Sequence, residues 1–307
     1  MSIIAVEPST ADLEPHEKST GLAPRTPLSS STAVARWLGS HWVLVISIAV
    51  FSVALLWALI PGAFTHYDPI AIDNGLKLRS PSAEHWFGTD LLGRDLYARI
   101  VYGARASLLG ASIAVAVAVF VGSALGAVAG WFGGLGDTIL MRLIDVLLSI
   151  PGFLLAISIV VLYTARTGHA GLVPAAIAVG LTTSATFARL IRSEVLRVRA
   201  SNYVEAAITS GATTFTVVRR HVIPNSVATT VSLIAVQLGI AIIWIASLSF
   251  LGLGAQPPEP EWGLLVSDGR KYIATRGWLT LFPALAIIAV VLATNNISRH
   301  LSKRAAR

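Results

Sequence analysis

Six apolar runs, each long enough to cross a membrane, alternate with shorter polar segments along the chain. They cover residues 41–60, 106–131, 143–163, 171–190, 226–249 and 280–297. A hydrocarbon core of about 30 Å requires about 20 helical residues at about 1.5 Å each. The pattern therefore predicts an all-α membrane protein, a bundle of six transmembrane helices.

The first 35 residues differ from the rest. They are rich in Ser, Thr, Pro and Glu and lack an apolar period, which predicts a disordered cytoplasmic tail over residues 1–35. Residues 36–307 then form one membrane domain. A cleaved signal peptide is the alternative for the first apolar run, but the run is long and lies behind a long tail.

Composition supports a membrane class. Of the 307 residues, 54% are hydrophobic and 13% charged, whereas soluble domains carry about 25% charged residues. A soluble fold could not bury this much apolar surface. The chain has no cysteine, which excludes disulfides and thiolate metal sites.

The net charge of +7 raises the question of nucleic acid. The basic residues flank the apolar runs instead of forming a separate domain, so membrane orientation explains them better and we expect no nucleic-acid partner. With both termini inside, 14 of the 23 basic residues are cytoplasmic and nine external, as the positive-inside rule requires. This predicts a multi-pass protein of the bacterial cytoplasmic membrane with both termini and residues 201–225 in the cytoplasm.

Residues 201–225 form the longest polar and basic interruption in the C-terminal half. Asn202 and Glu205 have the spacing of a helix-capping box. An apolar stripe at helical spacing follows, consisting of Val204, Ile208, Gly211, Phe215 and Val218. Gly211 in that stripe indicates a bend or a close backbone contact, and Pro224 should end the element.

The same segment resembles the EAA loop of ABC importer permeases. The similarity lies in Glu205-Ala206-Ala207, in Gly211 and in the sequence His221-Val222-Ile223-Pro224. In that family the loop docks on an ATPase subunit. The resemblance implies that the ATPase-coupling residues are Glu205, Ala206, Ala207, Gly211, Phe215, Arg219, His221 and Pro224. An amphipathic connector without a partner is the alternative.

Three further stretches resemble the C-type permease subunit of dipeptide and oligopeptide ABC importers. They are residues 85–108, 145–151 and 249–263. The resemblance implies the fold of a type I ABC importer transmembrane domain and the translocation of di- or oligopeptides. It also implies three partners beside membrane lipid: a homologous B-type permease, ABC ATPase subunits and an extracytoplasmic peptide-binding protein.

The chain lacks the residues to bind ATP itself. None of its lysines follows a glycine, so no phosphate-binding P-loop can form. We expect no catalytic residue, no metal site and no cofactor in this chain, with ATP and magnesium bound by the partner ATPases.

A few polar side chains fall inside or at the ends of the apolar runs. Arg142 and Asp145 have the i, i+3 spacing of a helix-end ion pair. Gln237, Ser232 and Thr183 are candidates for the translocation path. The Gln237 amide requires partners at bilayer depth, either on another helix or along a watery path.

Two other groups have structural explanations. Asp90, Arg94 and Asp95 are expected in a solvated or locally salt-bridged turn, with Gly88 and Gly93 at its bends. A glycine stripe at Gly122, Gly126 and Gly130 predicts close packing of two helices.

Two alternatives to a peptide importer remain. A stand-alone secondary transporter or channel would work without ATP. A permease of the same architecture could carry nickel complexes, haem or another solute.

Overall fold

The computed structural model describes residues 42–217, 219–220 and 223–305. The predicted tail over residues 1–35 and the coupling residue His221 lie outside them. The described part contains ten α-helices and no β-strand. The helices are α1 (Trp42–Leu59), α2 (Leu96–Phe132), α3 (Gly134–Ser149), α4 (Gly152–Thr167), α5 (Leu172–Arg199), α6 (Asn202–Thr209), α7 (Thr214–Val217), α8 (Ile223–Phe250), α9 (Trp262–Gly269) and α10 (Trp278–Ala305). Three short 3₁₀ helices lie at Pro61–Ala63, Asn74–Leu76 and Arg270–Tyr272.

Five of the described helices, α1, α2, α5, α8 and α10, are individually long and apolar enough to span a membrane. The pair α3 and α4 passes the same test together and makes a sixth span if it is counted as one. The predicted helical bundle is thus confirmed, with one span of unusual shape.

That span is the predicted run 143–163, which is not one straight helix. It breaks between Ser149 and Gly152, and α3 and α4 are bent by 93°. Ile150 has extended dihedral angles, φ −89° and ψ 133°, immediately before Pro151. Proline disfavours the helical region for the residue before it, so the local sequence accounts for the break.

Two helices extend well beyond the predicted apolar runs. The helix α2 begins at Leu96, where the side chain of Asp95 accepts a hydrogen bond from the amide of Ala98 and caps the first turn. The helix α5 continues to Arg199. Hydropathy alone locates the apolar part of each helix but not its polar ends.

The glycine stripe on α2 faces α5. A methyl group added at Gly122 would lie 2.4 Å from the carbonyl oxygen of Ser184, and one at Gly126 would lie 2.3 Å from that of Ala188. At Gly130 it would lie 2.9 Å from Cβ of Val195. The stripe therefore lets two backbones approach closely where lipid supplies no drive for association.

The long connections gather at one end of the bundle. Residues 61–95 link α1 to α2, and residues 251–277 link α8 to α10. They meet there, since Asp90 of the first connection and Asp268 of the second lie beside the same residue, Arg99 of α2. The Phe87 ring also stacks on Phe282 near the start of α10, with centroids 4.2 Å apart. The helix α2, about 55 Å long at about 1.5 Å per residue, leads from this loop end to the opposite end, where residues 201–217 lie.

Candidate functional site

The segment of residues 201–217 is anchored on the helices by apolar side chains. Val204 and Val217 are buried in one cluster with Ile191, Val195 and Val198 of α5. Ala127 and Trp131 at the end of α2 pack against the same cluster. The segment is therefore fixed to the bundle, and it is not a loose connector.

The other side of the segment faces outward. Glu205, Ala206 and Gly211 are exposed, as is Arg219 beyond α7. Ala207 and Phe215 lie on α6 and α7, and Pro224 is the second residue of α8. Pro224 thus begins the next helix, at a first-turn position that tolerates proline.

For Gly211 the sequence indicated either a bend or a close backbone contact, and the structure shows a bend. Its φ is +87°, in the left-handed region, and none of the described residues has an atom within 4 Å of where a Cβ would stand. The glycine therefore serves the turn between α6 and α7, and it makes no close backbone contact. The segment therefore forms two short helices, whereas the apolar stripe had predicted one continuous helix.

The predicted capping box is wrong. The carbonyl of Ser201 accepts hydrogen bonds from the amides of Val204 and Glu205 at 3.0 and 3.2 Å, which makes Ser201 the N-cap. Asn202 is consequently already inside the helix, so its side chain is one residue too late to pair with Glu205. The carboxylate of Glu205 remains exposed.

The predicted ion pair between Arg142 and Asp145 is also wrong. Asp145 pairs instead with Arg189 of α5, with Nη2 and Oδ1 2.5 Å apart. A second bridge joins the same two helices, because Arg192 donates two hydrogen bonds of 2.5 and 2.6 Å to Asp137. The carboxylates of α3 thus find arginines across the helix interface, which sequence spacing within one helix cannot reveal.

Of the three candidate path residues, Gln237 and Ser232 lie on α8 and Thr183 lies on α5, and each is at least partly buried. Gln237 on α8 is 7% exposed, and its Oε1 has no hydrogen-bond partner among the described residues. The carbonyl of Ser232 accepts a hydrogen bond of 2.8 Å from the hydroxyl of Ser298 on α10. The hydroxyl of Thr183 on α5 donates back to the carbonyl of Val179 at 2.8 Å. The backbone of Ser232 thus contacts α10, and the role of these three residues in the translocation path stays a prediction.

The loop end holds a buried charge network that sequence reasoning underestimated. Asp90 and Arg94 form the expected local salt bridge, with Oδ2 and Nε 2.7 Å apart, but both residues are buried and the turn is not solvated. Gly93 makes the turn at φ +77°. Arg99, 1% exposed, lies 3.6 Å from Asp90 and 3.9 Å from Asp268.

The network ties α2 to α9, because Asp268 belongs to α9 and Arg99 to α2. Burial raises the pKa of Asp268, and the neighbouring Arg99 and Arg94 offset part of that rise. Nothing in the local spacing of Asp268 indicates this pairing. Glu261, within the stretch 249–263 that resembles the permease family, is fully buried at the N-terminus of the same helix, α9.

These features define a class. A bundle of membrane-spanning helices, with a fixed amphipathic segment exposed at one end and long ordered connections at the other, is the architecture of a multi-pass membrane protein. The chain belongs to the family of binding-protein-dependent transport system inner membrane components, which it matches over residues 122–307. It is thus an inner-membrane permease component of such a transport system.

Sequence relatives cover most of this chain. The dipeptide transport system permease protein DppC of Alkalihalophilus pseudofirmus is 37% identical over 277 residues, 88% of this chain and 90% of that protein. The probable D,D-dipeptide transport system permease protein DdpC of Escherichia coli is 36% identical over 91% of this chain and 92% of that protein. The glutathione transport system permease protein GsiD of Pectobacterium atrosepticum is 39% identical over 85% of this chain and 83% of that protein.

Solved structures share the fold. A structure of the MetNI methionine ABC transporter in an inward-facing conformation has a TM-score of 0.55 at 16% identity, covering 68% of this chain and 97% of that one. An amino acid ABC transporter has a TM-score of 0.52 at 15% identity, covering 68% of this chain and 94% of that one. The predicted fold of a type I ABC importer transmembrane domain is thereby confirmed.

Proposed function

We propose that this chain is the C-type permease subunit of an ABC importer that moves di- or oligopeptides into the cell, driven by ATP hydrolysis on separate subunits. The observation that carries the coupling role is the exposed face of residues 201–217. Glu205, Ala206 and Gly211 lie on this segment, whose apolar side chains anchor it to α2 and α5, and the exposed Arg219 lies just beyond it. Force applied to a fixed segment reaches the helices directly.

The ATPase partners follow from the lack of a P-loop in the sequence. ATP and magnesium are bound on those partners, and no cofactor is bound by this chain. A homologous B-type permease completes the path, and an extracytoplasmic binding protein delivers the peptide. The names of the relatives, which refer to dipeptides, D,D-dipeptides and glutathione, support a peptide as the substrate.

The proposed orientation places residues 201–217 and both termini in the cytoplasm and the loop end outside. The natural sequence has no cysteine, so single cysteines can be introduced without background. Ser210→Cys and Glu259→Cys are suitable because both positions are exposed, at opposite ends of the bundle. In intact cells, an impermeant thiol reagent should label the second and not the first.

Transport itself is tested by reconstituting the complete complex in liposomes. Radiolabelled di- and tripeptides should accumulate only with ATP and binding protein present. Uptake of nickel or haem that excess peptide fails to compete would assign another solute to the same architecture. Uptake by this chain alone without ATP would make it a secondary transporter or channel.

A further inference from the structure

A cavity of about 230 Å³ opens at the loop end, where α2 begins. Aromatic rings and two carboxylates line it, from the connection after α1 and from the first turn of α2. The lining includes Phe64, Tyr67, Glu84, Trp86, Asp95 and Tyr97. This set is called the aromatic pocket.

The rings of the aromatic pocket support one another. Tyr97 lies at their centre, with its ring centroid 5.1 Å from Trp86 and 6.2 Å from Trp57. Trp57 in turn makes an edge contact with Phe64 at 6.5 Å. The indole of Trp86 is nonetheless 62% exposed, so one large aromatic face is held in place but left uncovered.

The charge of the aromatic pocket is negative. Glu84 is exposed, and its carboxylate forms no ion pair with any residue that the structure describes. Asp95 is buried, with one oxygen 2.8 Å from Nδ1 of His85 and the other accepting from the amide of Ala98 at 2.7 Å. An exposed aromatic face beside an unpaired carboxylate is complementary to a cation, which is attracted by the π-system and by the negative charge.

The floor of the aromatic pocket is rigid and continuous with α2. Asp95 caps that helix, and Tyr97 belongs to its first turn. Four residues along, Arg99 binds the buried network that includes Asp90 and Asp268. At its far end, Trp131 packs under Val204 and Val217. One helix thus joins the aromatic pocket to the proposed coupling segment.

We propose that the aromatic pocket is a docking point for a basic side chain, Arg or Lys, on the extracytoplasmic binding protein. The negative charge selects a basic group, and the exposed Trp86 face receives it. The position on a connection of about 35 residues, beyond the membrane-spanning part of α1, favours a protein partner over a lipid headgroup. This inference rests on the proposed function, because it requires a binding protein.

The test uses the complete complex in lipid nanodiscs and the binding protein of the same system. Binding-protein affinity is measured by biolayer interferometry, and ATPase activity is measured with and without the binding protein. Trp86→Ala and Glu84→Gln should each weaken binding by about 3- to 30-fold, the range of an aromatic–cation contact. Trp86→Phe should retain part of the affinity. Basal ATPase activity should stay at the wild-type level, since no substituted residue contacts residues 201–217.

Two matched variants control for general effects of the substitutions. Trp42→Ala removes another tryptophan that is 62% exposed, on α1, and Glu259→Gln neutralises an exposed acid on the same side but outside the aromatic pocket. Both should bind like the wild type. The Glu84→Gln effect should also shrink as salt rises, because exposed charges are screened.

The basic side chain itself is identified by a double-mutant cycle. Each exposed Arg or Lys on the binding protein is changed to Gln and combined with Glu84→Gln, and one pair should be non-additive. Wild-type affinity for both Trp86→Ala and Glu84→Gln would overturn the proposal. The proposal would also be overturned if the affinity for the binding protein stayed unchanged while the variants lost co-purified lipid. That result would assign the aromatic pocket to a lipid headgroup. Failure of the proposed function is a different result: wild-type ATPase activity that the binding protein does not stimulate.

Discussion

Ser107 on α2 donates a hydrogen bond of 2.7 Å to Oε1 of Glu261, which lies 154 residues later in the chain. The same hydroxyl accepts from the amide of Trp262 at 3.2 Å. The second carboxylate oxygen accepts from the amide of Leu264 at 3.0 Å and caps α9. One buried glutamate therefore fixes the start of α9 to the middle of the first half of α2.

This position makes stability depend on pH. Burial raises the pKa of Glu261, while hydrogen bonds from Ser107, Gly263 and Leu264 offset part of the rise. Because the folded pKa lies above the unfolded value of about 4.3, the folded state binds more protons between the two values. The stability that Glu261 contributes through this shift is therefore complete below the unfolded pKa and is lost as pH rises through the folded pKa.

Glu261→Gln should therefore gain stability relative to the wild type as pH rises, because the amide does not titrate. The measurement is thermal unfolding of both proteins in detergent between about pH 4 and about pH 8. The difference in Tm should grow as pH rises from the unfolded pKa through the folded pKa of Glu261 and stay constant above it. Glu259→Gln, at an exposed position two residues earlier, should follow the wild-type curve. Parallel curves for Glu261→Gln and the wild type would contradict the assignment.

The glycine stripe provides a second prediction. Gly126→Ala places a methyl group 2.3 Å from the carbonyl oxygen of Ala188, and overpacking of this kind costs about 1–3 kcal/mol. Gly136→Ala on α3 is the matched control, since nothing lies within 4 Å of its Cβ position. Folded yield and Tm should fall for the first variant and hold or rise for the second. Equal Tm values would mean that α2 and α5 do not approach as described.

The features that could be predicted from the sequence are patterns that repeat over a few residues. Runs of apolar residues located the membrane helices, and the four-residue spacing of Gly122, Gly126 and Gly130 indicated the packing with α5. The break at Pro151 was also present in the sequence, because proline restricts Ile150. The span was nevertheless expected to be continuous, since hydropathy averages over a break of two residues.

Partners distant in sequence were not found, because a charge can be satisfied by any residue that the fold brings near. Asp145 has a basic residue three positions before it but binds Arg189. Asp268 has no such local signal and meets Arg99 across the loop end. Burial was equally hidden, as the turn at Asp90 and Arg94 shows: its polar sequence indicated solvent, whereas the structure covers it with neighbouring loops.

The corrected ion pairs allow a third prediction. A double-mutant cycle between Asp145→Asn and Arg189→Gln should show a coupling energy of about 0.2–1 kcal/mol, the range for exposed pairs. The cycle between Asp145→Asn and Arg142→Gln should show none. Unfolding free energies by denaturant titration supply both values. Coupling only in the second cycle would restore the pairing expected from sequence spacing.

The last prediction concerns the turn at Gly211. Its φ of +87° is open to glycine and, among other residues, best tolerated by asparagine. No described atom lies near its Cβ position, so we expect a substitution to act through backbone strain, at about 1–2 kcal/mol for an ordinary residue. Since Val204 and Val217 anchor the segment on either side of the turn, relief of that strain should displace one of the anchors.

ATP-driven peptide uptake should therefore fall in the order wild type, Gly211→Asn, Gly211→Ala, Gly211→Val, with the β-branched residue least able to adopt positive φ. The amount of permease in the membrane should remain similar, because the turn lies outside the helical bundle core. Ser210→Ala, at the exposed neighbouring position, should transport like the wild type. Uptake at the wild-type rate by Gly211→Val would show that coupling does not depend on this turn. Equal loss in the Asn and Val variants would point instead to a partner surface that requires the bare backbone of glycine.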